Sequence, residues 1–129
     1  MPNALIVVVG RVLLSVIFIL GGFHQLMDIS GTAAYFETYN LPAPTVLPVL
    51  TGILELFGGL AVLIGFQTRI AAYALALYCI ATALVAHMGW DDVNQLIHFQ
   101  KNLAMAGGFL VLAVFGPGAY SLDSRSDRG

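Results

Sequence analysis

The chain has 129 residues, of which 59% are hydrophobic and only 9% charged, with a net charge of −2. A soluble domain of this length carries roughly a quarter charged residues, so these are too few to cover a water-facing surface and the expected solvent is lipid. The basic residues are scattered, which excludes the clustered positive surface of a nucleic-acid binder.

A membrane-spanning helix needs about 20 apolar residues. The first such run, ALIVVVGRVLLSVIFILGGF, covers residues 4–23. No basic side chain precedes it, Arg11 lies inside it and no A-x-A site follows, so a retained span is expected, not a cleaved signal peptide. The stretch 28–44 carries Tyr35, Phe36 and Tyr39, interleaved as in a short helix lying at headgroup level. An ordered surface loop fits it equally. Prolines 42, 44 and 48 close that stretch and open the second span, residues 46–66, which holds Glu55.

Gln67, Thr68 and Arg69 predict a very tight turn, making the third span, 70–88, an antiparallel neighbour of the second. The clean apolar part of the fourth, 103–115, is short. It reaches full length from residue 97 only by taking Lys101 and Asn102 into the membrane. The tail 119–129 is polar and is expected to fray. The chain therefore reads as one all-α domain, residues 1–129, an integral membrane four-helix bundle. Arg69, Arg125 and Arg128 lie at one end, and Asp28, Glu37, Asp91 and Asp92 at the other. The excess of positive charge on cytoplasmic loops then predicts both termini in the cytoplasm.

Charged residues inside a membrane are costly and generally face the bundle interior. Gly52, Glu55 and Gly59 share one face of span two; Lys101, Ala104 and Gly108 share one of span four. Arg11, Ser15, Phe18, Gly22 and Gln25 line up on span one, and Ala72, Ala76, Cys79, Ala83 and Ala86 on span three. With each span centred in the bilayer, Arg11 falls ~7 Å and Lys101 ~8 Å from the level of Glu55, on opposite sides. Glu55 is thus expected to be ionised and paired with Arg11, Lys101 or both, with Asn102 alongside, as a candidate ligand or proton site. The same pairs serve equally well to fix helix order.

His24, Gln25, His87 and His98 fall near the outer ends of the spans, with Trp90 close by, and suggest a weaker polar cluster there. No two histidines sit four apart on one helix, so neither a metal nor a haem site is expected. The GG pairs and the GPG sequence follow no strand and match no phosphate loop, which leaves close helix contact and helix termination as their expected roles. Cys79 is the single cysteine, so an internal disulfide is impossible.

GRVLLSVIFILGGFHQL, ELFGGLAVLIGFQTRIAA and FQKNLAMAGGFLVLAVFGPGAYSLD resemble the DoxX family of small bacterial inner-membrane proteins, and within it the YqjF-like subgroup. The GR, ELxGGL, GxxTR, KNxxxxGG and GPGxxSxD elements occur in the family's order over nearly the whole chain. The resemblance implies a four-helix inner-membrane protein associated with oxidoreductase systems, some of them quinone-linked. The matching positions are Arg11, Glu55, Arg69, Lys101 and Asn102. Many members carry lysine where this chain has His24.

Two readings stay open. In one, a bundle cavity holding Glu55 as proton acceptor, Lys101 and Asn102 as headgroup donors and Arg11 as counter-charge binds a quinone, with electrons supplied by a redox partner protein. In the other, the chain is a non-enzymatic scaffold, assembly factor or binder of a small lipophilic molecule. No cofactor motif is evident in the sequence, the lipid bilayer is the expected surrounding, and a homo-oligomer stays open.

Overall fold

The structure is a computed structural model that describes residues 3–43, 45–86, 89 and 91–128; among these it contains helices and no strand. In chain order the helices are α1 (Asn3–Met27), α2 (Ile29–Glu37), α3 (Val46–Ile64), α4 (Thr68–Ala86), α5 (Val93–Phe115) and α6 (Leu122–Arg128). Of these, α1, α3, α4 and α5 are long and apolar enough to cross a membrane. The fold is an all-α membrane bundle. One end carries the N-terminus, the α3–α4 turn and α6 (the termini end); the other carries α2 and the α4–α5 link (the loop end).

Helix limits follow capping groups more closely than the limits of the apolar runs. Asp92 starts α5 by accepting from the Asn94 amide at 2.9 Å, so the helix begins a turn before residue 97. Asp28 starts α2 by accepting from the Gly31 amide at 3.1 Å. At the other end α3 stops at Gly65, whose φ of +73° is the left-handed conformation that glycine adopts without a Cβ clash. Thr68 and Arg69 already belong to α4, so the turn is tighter than the sequence suggests.

The tail does not fray as expected: it forms α6, and its polar groups find partners inside the fold. The Asp123 carboxylate accepts from the Gln67 amide at 2.7 Å and the Thr68 amide at 2.9 Å. The Asp123 amide in turn donates to the Gly65 carbonyl at 2.8 Å.

α1 lies along α3 and α4 along α5; α3 bridges the two pairs, and α1 meets α5 only over a short stretch. Contact in lipid depends on small residues that let backbones approach, and the α1–α3 crossing shows how closely. A Cβ placed on Gly22 would stand 2.4 Å from the Leu56 amide nitrogen and 2.7 Å from the Gly52 carbonyl oxygen. Gly59 makes the same allowance for Ile19 one level further toward the termini end. On α4 the buried stripe is Ala72, Ala76, Cys79 and Ala83; the side chain of Ala86 lies outside the described residues.

α5 departs from the expected face. Ala106, Phe109, Leu112 and Ala113 are buried, whereas Lys101 and Ala104 are exposed. The predicted stripe is only a flank of the helix, where Gly108 meets Leu14 of α1. Phe109 fills the interior instead, edge-on to Phe18 with ring centres 5.4 Å apart. Large aromatic volume decided the rotation of this helix, and the cation was left outside.

Candidate functional site

On the loop-end side of the Phe18–Phe109 contact the helices enclose a half-open cavity of about 450 Å³. Its walls are mostly apolar: Phe18 forms the floor, Met105 and Leu47 stand at the sides, and Tyr35, Phe36 and Tyr39 of α2 form the roof. Polar groups enter at few points, Gln25 on α1, Thr51 and Glu55 on α3, Tyr78 and Thr82 on α4, and Asn102 on α5. Ile17, Ala81 and Val85, which also line it, are exposed on the outer surface of the bundle. The cavity therefore communicates with the surface that faces acyl chains.

Glu55 is held by a short chain of hydrogen bonds. The Gln25 amide nitrogen donates to Glu55 Oε2, and the Thr51 hydroxyl donates to Gln25 Oε1 at 2.8 Å. Thr51 precedes Glu55 by one helical turn, so both side chains leave the same face of α3. Tyr78 of α4 lines the same cavity as Thr51 and Glu55. Gly21 leaves room for the carboxylate; a Cβ there would lie 3.5 Å from Glu55 Oε1. In the roof, the Tyr35 and Tyr39 hydroxyls lie 3.2 Å apart. Burial, reinforced by that hydrogen bond, pushes the Tyr35 phenol up to about 12.

The expected pairing of Glu55 with Arg11 or Lys101 is replaced by this amide contact. Arg11 is buried, but it donates to the Leu63 carbonyl at 3.1 Å and the Pro117 carbonyl at 2.7 Å. Those oxygens belong to the end of α3 and the loop after α5, where helix carbonyls lack internal partners and a cation is favoured. Leu63 lies eight residues beyond Glu55 (63 − 55), or ~12 Å along α3. Centring each span independently hid this offset, because the glycine crossing sets the register. Lys101 is exposed on α5, and only its neighbour Asn102 reaches the cavity.

Of the weaker outer cluster, His24 and His98 lie on exposed positions of α1 and α5, Gln25 turns inward to Glu55, and His87 and Trp90 lie outside the described residues. Tyr78, Thr51 and Thr82 escaped the sequence reading. The spacing of Thr51 to Glu55 was an available signal; the inward turn of Tyr78, next to the buried Cys79, was not.

The termini end forms a second polar centre. Arg11 and Asp123 attract one another across it, and the Ser121 side chain is buried there, its Cβ only 2.4 Å from where a Gly65 side chain would begin. Burial raises the Asp123 carboxyl, but the Thr68 and Gln67 hydrogen bonds and the Arg11 charge outweigh it and hold the group below its ordinary value. The GR, GxxTR and GPGxxSxD elements converge here, whereas ELxGGL and the asparagine of KNxxxxGG belong to the cavity level.

The DoxX family model matches residues 6–88, from α1 through α4. The chain belongs to the DoxX family. It is 42% identical to the inner membrane protein YqjF of Escherichia coli K12 over 118 residues, covering 91% of this chain and 88% of that one. It is 34% identical to the inner membrane protein YphA of the same organism, covering 93% and 89%. CatD of Bacillus subtilis, provisionally named an oxidoreductase, is 29% identical over 81% and 82% of the two chains. No solved structure matches. This DoxX protein is a multi-pass inner-membrane protein.

Proposed function

We propose that this DoxX protein binds a small lipophilic molecule with a polar head, of the quinone class, as a membrane module serving an oxidoreductase system. The observation that carries the reading is Glu55: a carboxylate fixed by Gln25 at the wall of a mostly apolar cavity that communicates with the lipid-facing surface. Ligand sites typically occupy about 300–1,000 Å³, with a few placed polar groups on apolar walls, and about 450 Å³ falls in that range. The donor set suits a planar head bearing oxygens. Asn102 and Tyr78 offer hydrogen bonds from α5 and α4, Glu55 offers a proton acceptor from α3, and the roof aromatics offer flat surfaces.

A quinone in such a site supplies reversible exchange of electrons and protons at its ring oxygens. The chain's own residues orient the head, exclude bulk water and hold a proton at Glu55. Cys79 is buried and is the single cysteine, so it cannot cycle as a dithiol within the chain, and electrons would come from a partner protein. The distant relationship to CatD agrees with this redox setting. The arginines at the termini end support a cytoplasmic side for that end by the positive-inside rule, and on that reading the cavity opens in the outer half of the bilayer.

The test is to purify the protein without partners in mild detergent, extract bound lipids and quantify quinone per protein in wild type and Glu55→Gln. Quinone retained by wild type and lost from a variant of unchanged helicity supports the reading. Its absence from both preparations rejects it in favour of a scaffold role. Asn102→Leu provides a second folded variant if Glu55→Gln does not assemble.

A further inference from the structure

The two oxygens of Glu55 differ in their surroundings. Oε2 accepts from the Gln25 amide, whose own oxygen accepts from the Thr51 hydroxyl at 2.8 Å. The Thr51 hydroxyl has one hydrogen and also stands 3.0 Å from the Leu47 carbonyl, so the ionised carboxylate, which can only accept, selects the N–H end of the amide, and Thr51 supports that orientation. Oε1 has no hydrogen-bond partner among the described residues and lies beside Gly21, 3.5 Å from where a Cβ there would stand. An oxygen already accepting from a donor is a poor place for a proton, so a carboxyl held this way carries its hydrogen on the other oxygen.

We propose that Gln25 is a positioning residue: steadied by Thr51, it confines the exchangeable proton of Glu55 to Oε1, so one defined oxygen alternates between acceptor and donor toward the cavity that Glu55 lines. The proposal rests on reading the cavity as a ligand site, and it specifies the class of head group that the site takes. Ionised, Oε1 accepts from a ligand hydroxyl. Protonated, it donates to a ligand carbonyl. The site thus holds both members of a carbonyl–hydroxyl pair without moving a helix. Gly21 is part of the arrangement, since a larger side chain would crowd Oε1.

The groups facing Glu55 are consistent with this role. They are Gln25 from α1, Tyr78 and Cys79 from α4, Asn102 from α5, and Tyr35 and Tyr39 from α2. No arginine or lysine is among the cavity's described lining, so the glutamate is free to change protonation state without breaking an ion pair.

The experiment uses the full chain in lipid nanodiscs. Infrared difference spectra are recorded through a pH titration without ligand, with Glu55→Gln assigning the carboxyl band. Wild type is expected to give one carboxyl C=O band, lowered in frequency because Oε2 accepts from Gln25. Gln25→Met should return it to the position of a free carboxyl. Thr51→Val, which releases the amide to turn over, should split it. A band unmoved in both variants overturns the positioning role.

Binding of decylubiquinone and decylubiquinol over the same pH range then tests the ligand class. In wild type the preference for hydroxyl over carbonyl form should change by about tenfold or more between the two protonation states of Glu55, the effect of one hydrogen bond to a charged group. In Gln25→Met the change should fall below about threefold. Failure of both probes to bind, with the infrared shifts intact, overturns the ligand reading and upholds the positioning role.

Discussion

Adjacent glycines on α1 should respond oppositely to the same substitution. At Gly22 an added Cβ meets backbone atoms of α3, the Leu56 nitrogen at 2.4 Å, the Gly52 oxygen at 2.7 Å and the Leu56 Cα at 2.9 Å. None can swing away as a side chain does, so Gly22→Ala must separate the two helices by about 1 Å to restore ordinary contact. A gap of 0.5–1 Å forfeits roughly a quarter to a half of each dispersion contact, and the loss extends along the α1–α3 crossing. Overpacked sites cost about 1–3 kcal/mol. The backbone nature of the clash places Gly22→Ala in the upper part, about 2–3 kcal/mol, or roughly 30- to 150-fold in the unfolding equilibrium. At Gly21 the nearest atom to an added Cβ is Glu55 Oε1, at 3.5 Å, an ordinary contact. Gly21→Ala also gains up to about 1 kcal/mol of helix propensity, so its stability should stay within about 1 kcal/mol of wild type. SDS titration of each variant in dodecylmaltoside, followed by far-ultraviolet circular dichroism, measures the difference. Equal midpoints for the two variants would refute the assigned helix crossing.

Four further outcomes concern the termini end and the cavity floor. Arg11→Lys retains the charge but not the planar fork that serves two carbonyls, and should cost about 1.5–3 kcal/mol in the same titration, with faster amide exchange at the end of α3. Asp123→Ala removes the cap of α4 and should cost about 1 kcal/mol. Because Asp123 is held below its ordinary value of about 3.9, its contribution is complete above that pH and disappears as pH falls through the lowered value. Acid-induced loss of melting temperature should therefore be smaller in Asp123→Asn than in wild type. Phe18→Ala removes the cavity floor and its contact with Phe109; it should cost about 3–5 kcal/mol and weaken retention of any cavity ligand.

The spans were legible because lipid imposes a simple composition on any helix that crosses it, and the inward faces of α1, α3 and α4 followed from small residues recurring at helical spacing. α5 was harder. Its small residues lie around much of the helix, so Lys101, Ala104 and Gly108 formed a plausible stripe until the volume of Phe109 fixed the rotation. Depth was less legible still. Arg11 and Glu55 looked paired because each was measured from its own span centre, whereas the Gly22–Gly52 crossing slides one helix along the other. The roles of Gln25 and Asp123 were hidden for a related reason. A neutral amide and a carboxylate in a polar tail carry no distinguishing local pattern, and both acquire partners only through tertiary contact, 30 and 55–56 residues away in sequence.

Separation of the two centres gives the fold its division of labour. At the termini end, Arg11, Ser121 and Asp123 join α1, the ends of α3 and α5, the start of α4 and α6 through bonds made largely to the backbone. Such bonds serve helix termini that would otherwise leave polar groups unpaired in lipid, and their geometry leaves little freedom. Toward the loop end, among the described residues, α1 and α3 stay close at Gly22 and Gly52, while beyond Phe18 and Phe109 the helices leave space. A bundle pinned firmly at one end can leave the other open without losing its order. Substitutions at Arg11 or Asp123 should therefore lower stability with affinity intact in the molecules still folded, whereas Thr82→Val or Asn102→Leu should lower affinity with stability nearly unchanged. A ligand bound equally well by all four variants would remove the cavity from the functional argument.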